Sequence, residues 1–97
     1  MRARLKGDNF ERRVKKHLQS SDNYVIRQSA SAFPDLVVIS KKGVLFIECK
    51  VAKYISKDEK EALIKLKELG DVCIAYNKKG KICFCDINYK PKDINIS

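Results

Sequence analysis

Two acidic residues and a lysine lie in a strand-like segment of the chain, at positions where apolar residues would pack better. The segment reads FPDLVVISKKGVLFIECK, and the three residues are Asp35, Glu48 and Lys50. Carboxylates are ligands that hard divalent cations prefer, and a nearby lysine can neutralise negative charge on a bound group. The same residues also fit a solvent-facing Glu-x-Lys on an edge strand, with Asp35 at a strand start.

The register of the predicted hairpin decides whether the two carboxylates face each other. A four-residue loop over SKKG places Asp35 opposite Glu48, with Lys50 on that same face of the sheet. A three-residue loop shifts the pairing and turns Asp35 to the other face, unless a bulge near Pro34 restores it. Directly opposed like charges are destabilising, so the four-residue geometry predicts a divalent cation between the carboxylates.

Such a site suits metal-assisted hydrolysis of a phosphodiester. Asp35, Glu48 and the backbone carbonyl of Cys49 offer oxygen ligands for Mg²⁺, with Mn²⁺ as a substitute. Lys50 would neutralise charge that develops at the phosphate or orient the nucleophile. The predicted cofactor is therefore Mg²⁺.

The charge of the chain favours a polyanionic partner. Over 97 residues, 21 Lys and Arg oppose 12 Asp and Glu, which gives a formal net charge of +9. Nucleic acid is the expected partner of so basic a domain, although a lysine-rich surface also serves solubility. The basic residues predicted to contact phosphates are Arg2, Arg4, Lys6, Arg12, Arg13, Arg27 and Lys53.

Two helices and five strands are predicted in the order α-β-β-β-α-β-β. The first helix is predicted over 8–19, and the second starts with a capping box of Ser56 and Glu59 and carries an apolar stripe to Gly70. The strands are predicted at 24–28, LVVI, VLFIECKV, VCIAY and KICFCDI. We expect one domain over residues 1–97, with a tail, 88–97, that is flexible or lies along a partner.

Three stretches carry a resemblance to a known family. The pattern Pro34-Asp35 followed by Glu48-Cys49-Lys50 resembles the PD-(D/E)xK nuclease signature. The stretch KGDNFERRVKKHL is similar to the first helix of the archaeal Holliday junction resolvases, and Glu11 matches the active-site glutamate of that helix. The stretch YVIRQSASAFPDL is similar to the strand and loop that supply an active-site serine, which Ser31 matches.

The resemblance implies a fold, an activity and partners. The fold is an α/β, restriction-endonuclease-like mixed β-sheet flanked by helices. The activity is that of a Mg²⁺-dependent endodeoxyribonuclease that makes paired symmetric nicks in four-way DNA junctions, and the functional unit is a homodimer. Glu11 would join the metal site and Ser31 would assist at the phosphate. From the residues alone, a salt bridge between Glu11 and Lys15, one turn along the helix, is the favoured reading of Glu11.

Three alternatives stay open on the sequence. VRR-type nucleases share the compact arrangement of FPDL, IECK and a following helix. A PD-(D/E)xK nuclease that acts on flaps, ends or single strands is a related alternative, because only Ala32 and Phe33 separate Ser31 from the Pro-Asp, a shorter loop than the resolvases carry. The resolvases also carry a longer C-terminal region, which helps to form their dimer. A non-catalytic nucleic-acid-binding module is the third reading.

The remaining sequence features predict an intracellular, cytoplasmic protein without a membrane span. The apolar runs are far shorter than the roughly 20 residues a membrane helix needs, and the charged N-terminus does not resemble a signal peptide. The four cysteines, Cys49, Cys73, Cys83 and Cys85, do not show the spacing of a zinc knuckle, so we expect free thiols. His17 is expected to flank the first helix rather than to act as an acid or base.

Overall fold

The computed structural model describes residues 2–28 and 33–94, and of residues 2–8 it describes the backbone alone. The helices are α1 (Arg2–Leu18) and α2 (Lys57–Leu66), and the strands are β1 (Asn23–Arg27), β2 (Leu36–Ser40), β3 (Gly43–Lys50), β4 (Asp71–Lys78) and β5 (Lys81–Cys85). The element order is the one that the sequence predicts.

The strands form a mixed sheet in the spatial order β1-β2-β3-β4-β5. Strands β1, β2 and β3 pair antiparallel, β3 and β4 pair parallel, and β4 and β5 pair antiparallel. A parallel neighbour requires a crossover, and α2 supplies it between β3 and β4. The carboxyl ends of β3 and β4 therefore meet at the same end of the sheet.

Each helix packs against one face of the sheet, and alternate strand residues serve the two faces. On one face, Phe10, Val14 and Leu18 of α1 join a buried cluster with Val25, Leu36, Val38, Leu45, Ile47, Cys73 and Ala75. On the other face, Leu63 of α2 joins Ile55, Val72, Ile74 and Cys85. Asp35, Glu48 and Lys50 alternate with the first cluster, so they lie on the α2 face.

Both helices differ from their predicted limits. The first helix begins at Arg2 instead of Asp8, because arginine, alanine, leucine and lysine are strong helix formers and outweigh the unfavourable Gly7. The second ends at Leu66 instead of continuing to Gly70. Residues 67–69 form a turn in which Leu69 is 73% exposed, so Leu69 does not belong to the buried stripe.

The predicted capping box at the start of α2 is confirmed. The Ser56 hydroxyl accepts a hydrogen bond from the Glu59 N–H at 3.1 Å, and the Glu59 carboxylate accepts one from the Ser56 N–H at 2.8 Å. Two N–H groups that a helix start leaves unpaired are satisfied in this way. The box fixes the direction in which the Glu59 side chain leaves the helix.

The described part of the predicted tail contacts the rest of the domain. The Tyr89 hydroxyl accepts a hydrogen bond from the Ile55 N–H at 3.1 Å, and the Lys92 ammonium lies 2.7 Å from an Asp71 carboxylate oxygen.

The four cysteines are free thiols, as expected. Within the described ranges, we find no helix that is long and apolar enough to cross a membrane.

Candidate active site at the end of the sheet

Asp35 and Glu48 face each other at the carboxyl end of β3. Leu36 pairs with Ile47 and Ser40 with Gly43, which places Asp35, one residue before β2, opposite Glu48. Each acidic side chain accepts a hydrogen bond from the backbone of the opposite segment: Glu48 Oε1 from the Asp35 N–H at 3.3 Å, and Asp35 Oδ2 from the Cys49 N–H at 2.9 Å. The register predicted from the four-residue loop is confirmed.

The backbone around Asp35 is held by the residue that follows β1. The Gln28 N–H donates to the Asp35 carbonyl at 2.9 Å, and the Gln28 side-chain amide donates to the Pro34 carbonyl at 2.6 Å. The next residue, Leu36, is fully buried in the core. Asp35 is therefore fixed from both sides, with its carboxylate directed towards β3.

Glu48 is an unusual residue for this position because it is almost completely buried. Its relative exposure is 4%. Burial, followed by the negative charge of Asp35, raises the pKa of Glu48 well above its usual range, although the Lys50 charge acts in the opposite direction. A buried carboxylate beside a second carboxylate needs a positive counter-charge.

Lys50 supplies part of that charge, and it lies between two carboxylates. Its ammonium is 2.5 Å from Glu59 Oε2 and 3.5 Å from Glu48 Oε2. Burial favours the neutral amine, but the contacts with the carboxylates outweigh it and raise the pKa of Lys50. Burial acts against ionisation of Glu59 as well, yet hydrogen bonds from Lys50 and Ser56 lower the pKa of Glu59 to about 2.

Glu59 is a site residue that the sequence reasoning assigned only to a helix cap. The Ser-x-x-Glu pattern identifies the cap correctly, but it says nothing about where the second carboxylate oxygen points. That direction depends on how the crossover returns α2 to the sheet beside β3. The sequence offered one indication of the Lys50–Glu59 contact. Lys50 ends β3, and Glu59 lies in the first turn of α2, the helix of the crossover that follows β3.

Glu11 belongs to α1, the helix that packs on the face of the sheet opposite α2. Its carboxylate pairs with the Arg27 guanidinium, with 3.1 Å between Oε1 and Nε. Burial, followed by the negative charges of Asp35, Glu11 and Glu48, raises the pKa of the Cys49 thiol. In the described ranges, no three His, Cys, Asp or Glu side chains converge on one metal position. Of the three predicted carboxylates, Asp35 and Glu48 face each other and Glu11 contacts Arg27.

The predicted phosphate-binding residues have different environments. Arg12 and Arg27 line a groove beside α1 together with Lys15, Lys16 and Gln19. The Arg13 guanidinium donates to the Gly80 carbonyl at 2.7 Å, and the Lys53 ammonium lies 5.0 Å from the centre of the Tyr76 ring. Ser31 lies outside the described residues, as do the side chains of Arg2, Arg4 and Lys6.

The turn between β4 and β5 carries three lysines that the sequence reasoning did not select. Lys78 and Lys81 pair across the hairpin, and Lys79 lies at its tip with φ of 51°. Because Lys50 pairs with Tyr76, β4 extends past the acidic pair at this end of the sheet. Arg13 links this turn to α1.

The chain is similar in sequence to known proteins. Residues 2–92 match the family described as archaeal Holliday junction resolvase (Hjc). The crossover junction endodeoxyribonuclease Hjc of Methanocaldococcus jannaschii is 35% identical over 85 residues, which are 81% of this chain and 64% of that protein. The chain thus spans less than two thirds of that relative's length.

The fold of the chain is also similar to that of a solved structure. That of Archaeoglobus fulgidus Hjc, a Holliday junction resolvase, superposes with a TM-score of 0.69 at 26% identity and covers 86% of this chain and 74% of that one.

The five-stranded mixed sheet and the acidic pair with its lysine define a restriction-endonuclease-like domain with the PD-(D/E)xK arrangement. Within that class, the chain belongs to the archaeal Holliday junction resolvase family.

Proposed function

We propose that the protein is a metal-dependent, structure-selective endonuclease that hydrolyses phosphodiesters in four-way DNA junctions. The observation that carries the proposal is the buried Glu48 carboxylate facing Asp35, with the Lys50 ammonium 3.5 Å from Glu48. The M. jannaschii relative is named a crossover junction endodeoxyribonuclease, and the A. fulgidus protein a Holliday junction resolvase. The proposed location is the cytoplasm.

Mg²⁺ is the proposed cofactor, and the acidic pair fits it. Two carboxylates with a buried member offer hard oxygen ligands, and Mg²⁺ is commonly bound by one or two carboxylates together with water and substrate phosphate. Asp35 and Glu48 would hold it, with the Cys49 carbonyl and Glu11 as further ligands, and Mn²⁺ would substitute. When bound, the ion activates water and stabilises negative charge on the phosphate.

The side chains of the chain itself have separate roles. Lys50 presents a positive charge at the end of β3, where it can stabilise charge on the phosphate as the bond breaks. Asp35 is held by Gln28 and by the Cys49 N–H, so its orientation is set before DNA arrives. Ser31 would contact the phosphate, as the family resemblance implies.

The proposed DNA path crosses this end of the sheet. The α1 groove with Arg12 and Arg27 lies on one side, and the β4–β5 turn with Lys78, Lys79 and Lys81 lies on the other. The basic set predicted from the sequence also contains Arg2, Arg4, Lys6, Arg13 and Lys53. Such contacts go to phosphates, so binding should weaken steeply with salt and should follow junction shape more than base sequence.

A homodimer is part of the proposal. Paired symmetric nicks need two active sites, and a two-fold dimer places one in each subunit. The α2 face of β1 and β2 leaves Tyr24, Ile26 and Ile39 exposed, at 63%, 39% and 44% of their surface. Tyr24 pairs with Ile39 across the two strands, which makes these side chains contiguous. We assign this face to a second copy of the chain.

Cleavage of a panel of end-labelled substrates tests the proposal. The panel contains four-way junction, flap, single-stranded and duplex DNA, each with and without Mg²⁺, and compares the wild type with Asp35→Asn. Asparagine keeps an acceptor for the Cys49 N–H but removes the charge, so the variant should fold and bind junctions without cutting them. Preferred cutting of flaps, ends or single strands would replace the junction substrate. Binding without metal-dependent cutting would leave a nucleic-acid-binding module.

A further inference from the structure

We propose that Glu59 is a positioning residue that holds the Lys50 ammonium at a fixed place beside the acidic pair, and that cleavage requires it. The inference rests on the proposed function, because it assumes that Lys50 acts at the phosphate. The first turn of α2 would then have a role in the reaction, in addition to the packing of α2 against the sheet.

The two carboxylates beside Lys50 compete for its ammonium. Glu59 Oε2 is at 2.5 Å and Glu48 Oε2 at 3.5 Å, so the closer partner is the one that is not part of the acidic pair. Without Glu59, the flexible lysine side chain would be free to settle directly on Glu48. It would then occupy the carboxylate that has to meet the cation. Glu59 therefore keeps Lys50 near Glu48 without letting it neutralise Glu48 completely.

Glu59 is itself held in place by the helix start. Its Oε1 accepts from the Ser56 N–H at 2.8 Å, while its Oε2 accepts from Lys50. One carboxylate oxygen of Glu59 thus completes the helix cap, and the other binds Lys50. Behind them, α2 is anchored by Leu63, which is fully buried against the sheet. A long, rotatable lysine is in this way bound to a rigid element, which is what precise placement of a charge requires.

A cap residue contributes to stability as well, so the test must separate the two roles. Glu59→Gln retains a side-chain oxygen for the Ser56 N–H, since glutamine also completes a capping box, but it removes the negative charge that holds Lys50. The matched control is Ser56→Ala. It removes the hydroxyl that accepts from the Glu59 N–H and leaves both bonds of the Glu59 carboxylate in place.

Single-turnover cleavage of a four-way junction with Mg²⁺, at saturating protein, is the first readout. Displacing a reacting group by about 1 Å can cost on the order of 100-fold in rate, so we expect Glu59→Gln to cut about 10- to 100-fold more slowly. Its junction affinity, measured without metal, should stay within about twofold, because Lys50 keeps its charge. Ser56→Ala should lower the urea midpoint and cut at the wild-type rate.

The second readout follows the Lys50 ammonium directly. Its side-chain ¹⁵N–H signal, assigned by its loss in Lys50→Arg, should keep its chemical shift in Ser56→Ala and change it in Glu59→Gln, in which the ammonium moves from Glu59 onto Glu48. Wild-type cleavage by Glu59→Gln, or equal slowing by Ser56→Ala, overturns the positioning role. If the wild type cuts no DNA while the signal still depends on Glu59, the proposed nuclease function fails and the contact stands.

Discussion

At the scale of single residues, the site carries a charge arrangement that folding alone does not favour. Glu48 is buried against Asp35, and Lys50 is shared between Glu48 and Glu59. Burial and the Asp35 charge disfavour ionisation of Glu48, so a neutral residue would suit the fold better at position 48. Residues that bind a metal or a phosphate commonly carry such a stability cost.

Glu48→Gln should stabilise the metal-free protein. Because the folded-state pKa of Glu48 is raised above its ordinary value of 4.5, ionising Glu48 weakens the fold as the pH rises above about that value. Glutamine avoids this and keeps an acceptor for the Asp35 N–H. We expect a gain of about 0.5–2 kcal/mol at pH 7 in urea unfolding with a chelator. The gain should disappear below pH 4, and a loss of stability at pH 7 would contradict the prediction.

The effect of Mg²⁺ on thermal stability provides a second test of the Glu48→Gln variant. Mg²⁺ that binds only the folded wild type should raise its Tm with increasing concentration. Glu48→Gln, which has lost a ligand charge, should respond much less. Equal shifts in both proteins would show that the ion binds elsewhere.

The contribution of Glu59 to stability should depend on pH in the opposite direction to that of Glu48. Its folded-state pKa is lowered to about 2, so its contribution to stability is present above the ordinary value of 4.5 and is lost as the pH falls towards 2. The free energy of unfolding of Glu59→Gln should therefore lie below that of the wild type at pH 7, by on the order of 1–3 kcal/mol. The two curves should converge in acid. A difference that does not depend on pH would argue against an ionic role.

At the scale of elements, local patterns predict much of what positions the site. The turn SKKG predicts the β2–β3 register, and with it the opposition of Asp35 and Glu48, because a hairpin loop fixes its strand pairing. The capping box predicts the start of α2. The Glu59–Lys50 contact and the position of the β4–β5 turn depend on the parallel pairing of β3 with β4 across a crossover, which no local pattern specifies.

The β4–β5 turn should contribute to DNA binding through phosphate contacts. Lys79→Glu and Lys81→Glu should each weaken junction binding and lower the slope of log Kd against log salt by about 1. The matched control is Lys41→Glu, which makes the same charge change in the β2–β3 turn, at the opposite end of the sheet. Fluorescence anisotropy over a salt series measures all three. An equal effect of Lys41→Glu would mean that only net charge matters.

At the scale of the whole molecule, α1 covers one face of the sheet, and α2 leaves the β1–β2 part of the other face open. Tyr24 and Ile39 are the most exposed apolar side chains there. Exposed apolar patches of this kind often mark interfaces between proteins. Composition alone did not reveal this patch, because it appears only once the strands are placed next to each other.

The double variant Tyr24→Lys with Ile39→Lys should shift the protein towards a monomer. Two charges on each copy of a two-fold interface repel their counterparts directly. Analytical ultracentrifugation over a concentration series measures the change, with Asn9→Lys, exposed on α1 on the other face, as the control. A wild type that stays monomeric at all concentrations would contradict the dimer. So would a double variant that dimerises as well as the wild type.

The most direct measurement is the mapping of cuts in one four-way junction with Mg²⁺ by the wild type and by Asp35→Asn. Each of the four strands is labelled in turn, and junction binding is measured in parallel. We expect the wild type to make two symmetric nicks in opposing strands and Asp35→Asn to bind the junction and leave every strand intact. A junction that the wild type binds but never nicks, or that Asp35→Asn nicks at the wild-type rate, would contradict the account.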